Sequence, residues 1–284
     1  MSSDLNQIAR SAFHEAKIQA TSDVRDDDAY WKTIAILQRA DPDAVWTLLL
    51  PLAIDSDPRL RSMVPDTLRY LGAARHPLAE KSVDLFRNML RVERSPEVLE
   101  SIGLAFVDIT HPAALELMLP FASHSSPRVR KAVVHALLGQ TDKRAVDALI
   151  VLSSDDEDDV RDWATFGIGS SLGEPGDEMF VDSEEIRAAL IARLSDAHDN
   201  TRAEALVGLA VRQDLRAIPA LKAELDRDDI GSMAIDAAYH MASSELCEFL
   251  EKLKLRDASS VEFFEKEPRH SLSQAIAACC VRTK

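Results

Sequence analysis

With 284 residues, of which 46% are apolar and 5% aromatic, the chain can bury a sizeable core in one large or two average domains. Only nine glycines occur, few for a sheet protein with many tight turns, and the abundant Ala and Leu favour closely packed helices. Acidic residues outnumber basic ones by 48 to 33, and a net charge of −15 argues against nucleic acid or a membrane surface as partner, because such binders carry a basic face.

No apolar run is long enough to span a bilayer. The N-terminus lacks the basic head and apolar block of a signal peptide. Three cysteines without framework spacing point to reduced thiols and a cytoplasmic setting. The vicinal Cys279 and Cys280 lie in an apolar stretch, where packed small hydrophobes are expected rather than a redox or metal pair.

In chain order, residues 1–21 are expected to form a capping helix, with Leu5, Ile8, Ala9, Ala12, Phe13 and Ala16 on one face. A repeat follows over 22–255. SDPRLRSMVPDTLRYLG at 56–72 and SSPRVRKAVVHALLG at 125–139 share a polar residue, Pro, an aliphatic and Arg, then apolar residues three, six and seven places on. Arg61 precedes Val64 and Leu68, and Arg130 precedes Val133, Ala136 and Leu137. The same frame holds for Arg161 (Ala164, Gly167, Ile168) and Arg202 (Ala205, Gly208, Leu209). Weaker copies anchor at Tyr30 (Thr33, Ile36, Leu37), Leu99 (Ile102, Ala105, Phe106) and Ser232 (Ile235, Ala238, Tyr239). The spacings between those seven positions are 31, 38, 31, 31, 41 and 30 residues.

Each unit has a second helical half after a short turn, as at 40–43, 74–77, 110–112 and 141–144. Neither helix can bury its apolar stripe alone, and stacking the pairs buries both. Asp57, Ser95 and Ser126, just before prolines, are expected N-caps. Residues 256–284 offer two short capping helices, with Leu272, Ile276 and Cys280 sealing the last repeat.

The pattern resembles HEAT repeats, especially short bacterial and phycobilin-lyase-like ones, whose motif is roughly D-P-x-V-R-x-x-A-x-x-A-L. The resemblance implies an all-α solenoid, a superhelix of about seven helix pairs with capping helices. It implies that Arg61, Arg130, Arg161 and Arg202 form a structural ladder between repeats, interrupted at Leu99 and Ser232. Two further activities occur among similar folds. One is a bilin lyase-like subunit acting with a second chain. The other is an alkylpurine DNA glycosylase, for which Arg161, Asp162 and Trp163 supply the residue types, but consecutively and on an acidic chain. Deoxyhypusine hydroxylases of similar fold hold iron with several His-Glu pairs, whereas this chain has one, His14-Glu15, outside the repeats.

The histidines form no HExxH set, and no phosphate loop or nucleophile elbow occurs. The acidic runs at 26–28 and 155–159 precede helices and are expected to cap them. No catalytic, cofactor or metal residue is therefore expected, and the reading is a scaffold that binds another protein. Two places invite a partner. An insert at 172–183 brings Met179, Phe180 and Val181 among acids, and Trp163 with Phe166 lies off the core stripe of the helix leading into it. Those aromatics are expected either to be covered by the insert or to bind a partner. Glu116 and Asp147, each seventeen places after its anchor, would repeat a negative charge suited to a basic protein.

Overall fold

The computed structural model describes residues 2–22, 26–71, 78–256, 258–266 and 269–280, without the side chains of 2–6, 8 and 258–260. The turn expected at 74–77 and the side chains of Leu5 and Ile8 lie outside the described residues. All regular structure among the described residues is helical. The chain divides into two compact units, Met1–Leu137 and Leu138–Lys284.

The N-terminal unit runs α1 (Ser2–Thr21), α2 (Asp27–Leu37), α3 (Pro42–Leu49), α4 (Pro58–Leu71), α5 (Ala79–Leu90), α6 (Pro96–Ile109), α7 (Ala113–Met118) and α8 (Pro127–Leu137). Asp26 and Asp41 start α2 and α3 by accepting from the N–H groups of Ala29 and Ala44, at 3.0 and 2.9 Å. Buried Ala9, Ala12, Ala16 and Ala20 give α1 a small-residue face that packs on α2 and α4. The first helices of successive pairs stack, α4 on α6 and α6 on α8.

The expected stripe residues Val64, Leu68, Ile102, Ala105, Phe106, Val133, Ala136 and Leu137 are all buried. In α2 the frame fails. Ile36 is exposed and Ile34 is buried instead, because α1 and α4 cover the face of Tyr30, Thr33, Ile34 and Leu37. The caps also differ in part. Asp57 accepts from Arg59 N–H at 2.9 Å, but the Ser95 side chain makes no capping bond. The Glu93 carboxylate serves there, accepting from the N–H groups of Arg94 and Ser95.

The C-terminal unit runs α9 (Lys143–Leu152), α10 (Asp158–Gly169), α11 (Glu184–Arg193), α12 (Asp199–Val211), α13 (Ile218–Leu225), α14 (Ser232–Met241), α15 (Cys247–Leu253), α16 (Ala258–Lys266) and α17 (Leu272–Cys279). Here α10 packs on α12, α12 on α14, and α14 on α17. The thiol expectation is overturned. Cys247 and Cys280, 33 residues apart, form a disulfide that ties the end of α17 to α15, with Cα atoms 5.1 Å apart. Sequence spacing could not show this, because the approach of the two cysteines depends on how α17 docks. The thiol argument for a cytoplasmic setting falls with it. Cys279 stays a buried thiol that donates to the Ala238 carbonyl, and burial pushes it up to about 11.

The four anchor arginines share one geometry. Each Nη1 donates to the carbonyls six and five places earlier: Asp55 and Ser56 for Arg61, His124 and Ser125 for Arg130, Asp155 and Asp156 for Arg161, Asp196 and Ala197 for Arg202. The motif arginine thus closes the turn that precedes its own helix. Arg61 also reaches Glu93 of the next repeat at 2.7 Å, and Arg161 reaches Asp196 at 3.0 Å, each through two nitrogens. Burial alone would push the Glu93 carboxyl up, but Arg61 and the N–H groups of Ser95 and Arg94 bring it below the ordinary range. In the Ser232 repeat the equivalent Asp226 pairs with Lys252, and Arg202 turns to Asp199 on its own helix.

Candidate protein-binding surface

Helix α10 carries Asp162, Trp163, Phe166 and Ser170 on a face beside its buried stripe of Val160, Ala164, Gly167 and Ile168. Trp163 is 39% exposed and Phe166 half-buried. Their rings meet edge to face with centroids 5.8 Å apart. In the repeats of Arg61 and Arg130 the position of Trp163 holds Met63 and Ala132, both buried. Among the four arginine-anchored repeats, α10 is the one that places an aromatic at that position.

The insert turns at Gly173 and Gly176, whose φ of 77° and 108° suit residues without a Cβ. Its apolar trio separates. Phe180 lies over the guanidinium of Arg212, 5.6 Å from ring centre to Cζ, and the Val181 carbonyl accepts from Arg212 at 2.9 Å. Met179 stays 48% exposed, its methyl 3.6 Å from where a Cβ on Gly139 would stand. Ser183 caps α11 as expected, accepting from Ile186 N–H. Beyond the insert, Arg187 joins Asp182 to Asp214, and Arg216 joins Asp214 to Glu184. Asp214, held by Arg216 and Arg187, is lowered to about 2.

Glu116 is exposed on α7 of the N-terminal unit. Asp147 is exposed on α9 of the C-terminal unit, where Lys143 one turn earlier holds both its oxygens at 2.7 Å. Part of the negative charge assigned to Asp147 is thereby neutralised on its own helix.

The structure adds a feature that sequence reading missed. Glu204 on α12 occupies the position that Trp163 occupies on α10, one repeat on. Burial and then the Asp162 carboxylate push the Glu204 carboxyl up to about 7, against the opposing pull of Ser170 and Arg269. Ser170 Oγ lies 3.4 Å from Glu204 Oε2. Asp162 Oδ1 is buried without a hydrogen-bond partner. Burial raises the Asp162 carboxyl too, with His198 opposing and Asp159 and Asp196 adding to the rise. The only sequence signal was a Glu at a helix position that holds Met63, Ala132 and Trp163 in the other arginine-anchored repeats.

The raised Glu204 carboxyl has a consequence for stability. Below the ordinary range of about 4.5 both folded and unfolded chains hold its proton. Between there and about 7 only the folded chain does, so stability falls as pH rises through that window. Glu204→Gln should therefore stabilise the protein by about 1–3 kcal/mol at pH 8 and leave it unchanged at pH 4. Urea titrations at both pH values check this, and an equal effect at the two would contradict it.

On the same side of the unit, Glu174 of the insert lies 3.9 Å from both His240 Nε2 and Arg269 Nη1. The His270 ring stacks on Tyr239 at 3.8 Å and its Nδ1 lies 3.2 Å from Asp236. Burial holds His240 below the ordinary histidine value.

Comparison with known proteins bears on the architecture. Residues 83–169 match the family model described as HEAT repeats. This stretch of the chain carries HEAT repeats. The matched stretch runs from within α5 to the end of α10, so it contains Arg130, Arg161, Trp163 and Phe166, while Glu204 and the insert follow it. Protein YibA of Escherichia coli, in strains K12 and O157:H7, is 30% identical over 145 residues, 51% of this chain and 49% of YibA. The chain thus spans about half the length of the curated relatives it matches. The X-ray structure of Escherichia coli YibA superposes with a TM-score of 0.70 at 21% identity, covering 98% of this chain and 95% of that one. A crystal structure of an engineered protein superposes with a TM-score of 0.57 at 15% identity, covering 98% and 84%. Similarity at that level establishes the fold, an all-α solenoid of helical repeats, while activity belongs to individual sites. No helix among the described residues is long and apolar enough to cross a membrane.

Proposed function

We propose that this chain is a HEAT-repeat scaffold that holds another protein, with α10 as the principal contact. The observation that carries the reading is the Trp163–Phe166 pair, a partly exposed aromatic platform on α10. Exposed aromatics on a rigid element are favoured anchors at interfaces, because they bury a large area at low entropic cost. Stacked repeats present extended surfaces suited to such binding. Met179 on the insert adds an adaptable apolar contact, and Phe180 supports it by fixing the insert on Arg212. The acidic Glu116 and Asp147 extend the preference to partners of basic character.

The test is capture of partner proteins by the tagged full chain, identified by mass spectrometry, beside Trp163→Ala and Phe166→Ala variants. Stability of the Trp163→Ala protein should change by no more than about 0.5–1 kcal/mol, since the indole is partly exposed. A specific partner should be lost in both variants, and enrichment of basic proteins should weaken with salt and with Glu116→Lys plus Asp147→Lys. Retention of every partner by Trp163→Ala, or tight binding of duplex DNA by the same face, would overturn the reading.

A further inference from the structure

We propose that the Cys247–Cys280 disulfide is a redox-operated latch on the C-terminal cap: its reduction by a dithiol lets α17 leave α14 and uncovers the last repeat. The latch is independent of where a partner binds. The bond joins the start of α15 to the residue just past the end of α17, 33 positions apart in sequence. Neither cysteine of the pair is buried, so the bond lies near solvent, whereas Cys279 beside it is buried. The helix that the bond retains has little else to hold it. It has eight residues, too few for a helix that is stable alone. Its buried side chains are Leu272, Ala275 and Cys279, of which only the first is large. At its start, Asp236 of α14 accepts from the N–H groups of His270 and Arg269 at 2.6 and 3.2 Å, and Glu265 of α16 accepts from the N–H and hydroxyl of Ser273 at 3.1 and 2.7 Å. Polar contacts near solvent add little net stability. The end of α17 is held by the disulfide and by the Cys279 thiol, a weak donor to the Ala238 carbonyl at 3.2 Å. Closing a loop of this length restricts the undocked ensemble, so the bond weights the equilibrium towards the docked cap.

The chemistry is thiol–disulfide exchange. One thiolate of the dithiol attacks a sulfur of the disulfide, forms a mixed disulfide and expels the other cysteine as a thiolate, which takes a proton. The second thiolate of the reductant then attacks the mixed disulfide and expels the remaining cysteine. The protein is left with thiols at Cys247 and Cys280, the dithiol becomes a disulfide, and two electrons have passed to the protein. Cys279 stays out of the exchange while α17 is docked, because burial pushes its thiol up to about 11 and leaves almost no thiolate. Reoxidation therefore restores the same pair. Release of α17 uncovers the face of α14 around Ala238. It also withdraws Arg269 from Glu174 of the insert and His270 from Asp236.

The experiment follows alkylation of Cys279 by iodoacetamide in the full chain, read by mass spectrometry. In the oxidised protein and in the Cys247→Ser plus Cys280→Ser variant alike, Cys279 is the sole thiol, so the two rates compare directly. Labelling should be about tenfold or more faster in the variant, because the cap opens more often without the bond. Hydrogen exchange should quicken in α17 and α14 of the variant while α10 and α12 keep their protection. Wild type treated with dithiothreitol should exchange like the variant. It should return to slow exchange once dithiothreitol is removed and glutathione disulfide has re-formed the bond. Equal labelling of oxidised protein and variant would show that the cap stays docked without the bond, and would overturn the proposal. Three free thiols in protein purified without reductant, or reoxidation that pairs Cys279, would also overturn it. Loss of protection in α10 and α12 would do the same, since the bond would then be needed for folding and not for docking alone.

Discussion

Arg212→Met should destabilise the protein by about 3–5 kcal/mol and release the insert. The side chain of Arg212 is almost wholly buried at the end of α12. Its Nη1 donates to the carbonyls of Gly169 and Gly208 at 2.8 and 2.9 Å, and its Nη2 to those of Ile168 and Val181 at 2.9 Å. Ile168 and Gly169 lie in the last turn of α10, where helix geometry leaves carbonyls without an intrahelical donor. Gly208 lies in the last turn of α12, and Val181 lies on the returning arm of the insert. One guanidinium therefore closes two helix ends and fastens a loop. Burial pulls its pKa down to about 10, which leaves it charged at neutral pH. Asp182, 3.4 Å from Nε, supplies the countercharge. Methionine fills much of the volume and leaves all four carbonyls without their donor. Arg212→Lys should rescue little, because an ammonium has no planar fork to serve acceptors on three segments. Urea denaturation measures the loss. Hydrogen exchange should show amides across 172–183 opening in the variant while those of α4 and α6 stay protected. Exchange in the insert equal to wild type would show that something else holds it.

What could be read in advance followed from periodicity, and what could not followed from contacts between distant segments. The anchors at Leu99, Arg130, Arg161 and Arg202 placed their core residues correctly, because a helix in a stacked pair must turn the same face inward in every repeat. At Tyr30 the frame put Ile36 inside, whereas α1 covers the face of Ile34. That helix belongs to no repeat, so no repeat rule could foresee its direction. The insert was legible as a loop from Gly173, Pro175 and Gly176, and Ser183 as its closing cap from the acids that follow. The position of Phe180 on Arg212 was not, since nothing in the local sequence marks Arg212 apart from other surface arginines. The same holds for the bond between Cys247 and Cys280, which depends on α17 folding back to α15. Trp163 was legible as unusual by comparison with its equivalents. Glu204 was not, because its protonation depends on burial beside Asp162. Sequence reading therefore singled out the aromatics of α10 as unusual and did not single out Asp162 and Glu204 as carboxyls raised by burial.

Gly208→Val should destabilise the C-terminal unit by about 3 kcal/mol or more, and Gly103→Val the N-terminal unit similarly. Both glycines sit in stacked first helices, where Ala is worth up to about 1 kcal/mol more than Gly by propensity alone. Packing opposes that gain. A Cβ on Gly208 would lie 2.7 Å from the Cα of Gly169 and 3.1 Å from a methyl of Leu190. One on Gly103 would lie 2.7 Å from the Cβ of Ala132 and 2.8 Å from its carbonyl oxygen. The obstacles include backbone, which cannot rotate aside, so α10 and α12, or α6 and α8, must move apart. Separating them exposes the stripes that each pair buries, and a β-branched side chain adds bulk where the helices touch. Alanine at either position should fall between wild type and valine, its propensity gain outweighed by the contact. Gly231 provides the contrast. It is the N-cap of α14, its φ is negative, and a Cβ there would meet nothing within 4 Å. Gly231→Ser should be neutral or stabilise by a few tenths of a kcal/mol, because a hydroxyl can accept from the first turn. Thermal melts of the five variants give the ranking. Hydrogen exchange should place the Gly103→Val lesion in α6 and α8, and the Gly208→Val lesion in α10 and α12. A Gly208→Val protein as stable as wild type would mean that α10 and α12 do not approach as closely as their glycines allow.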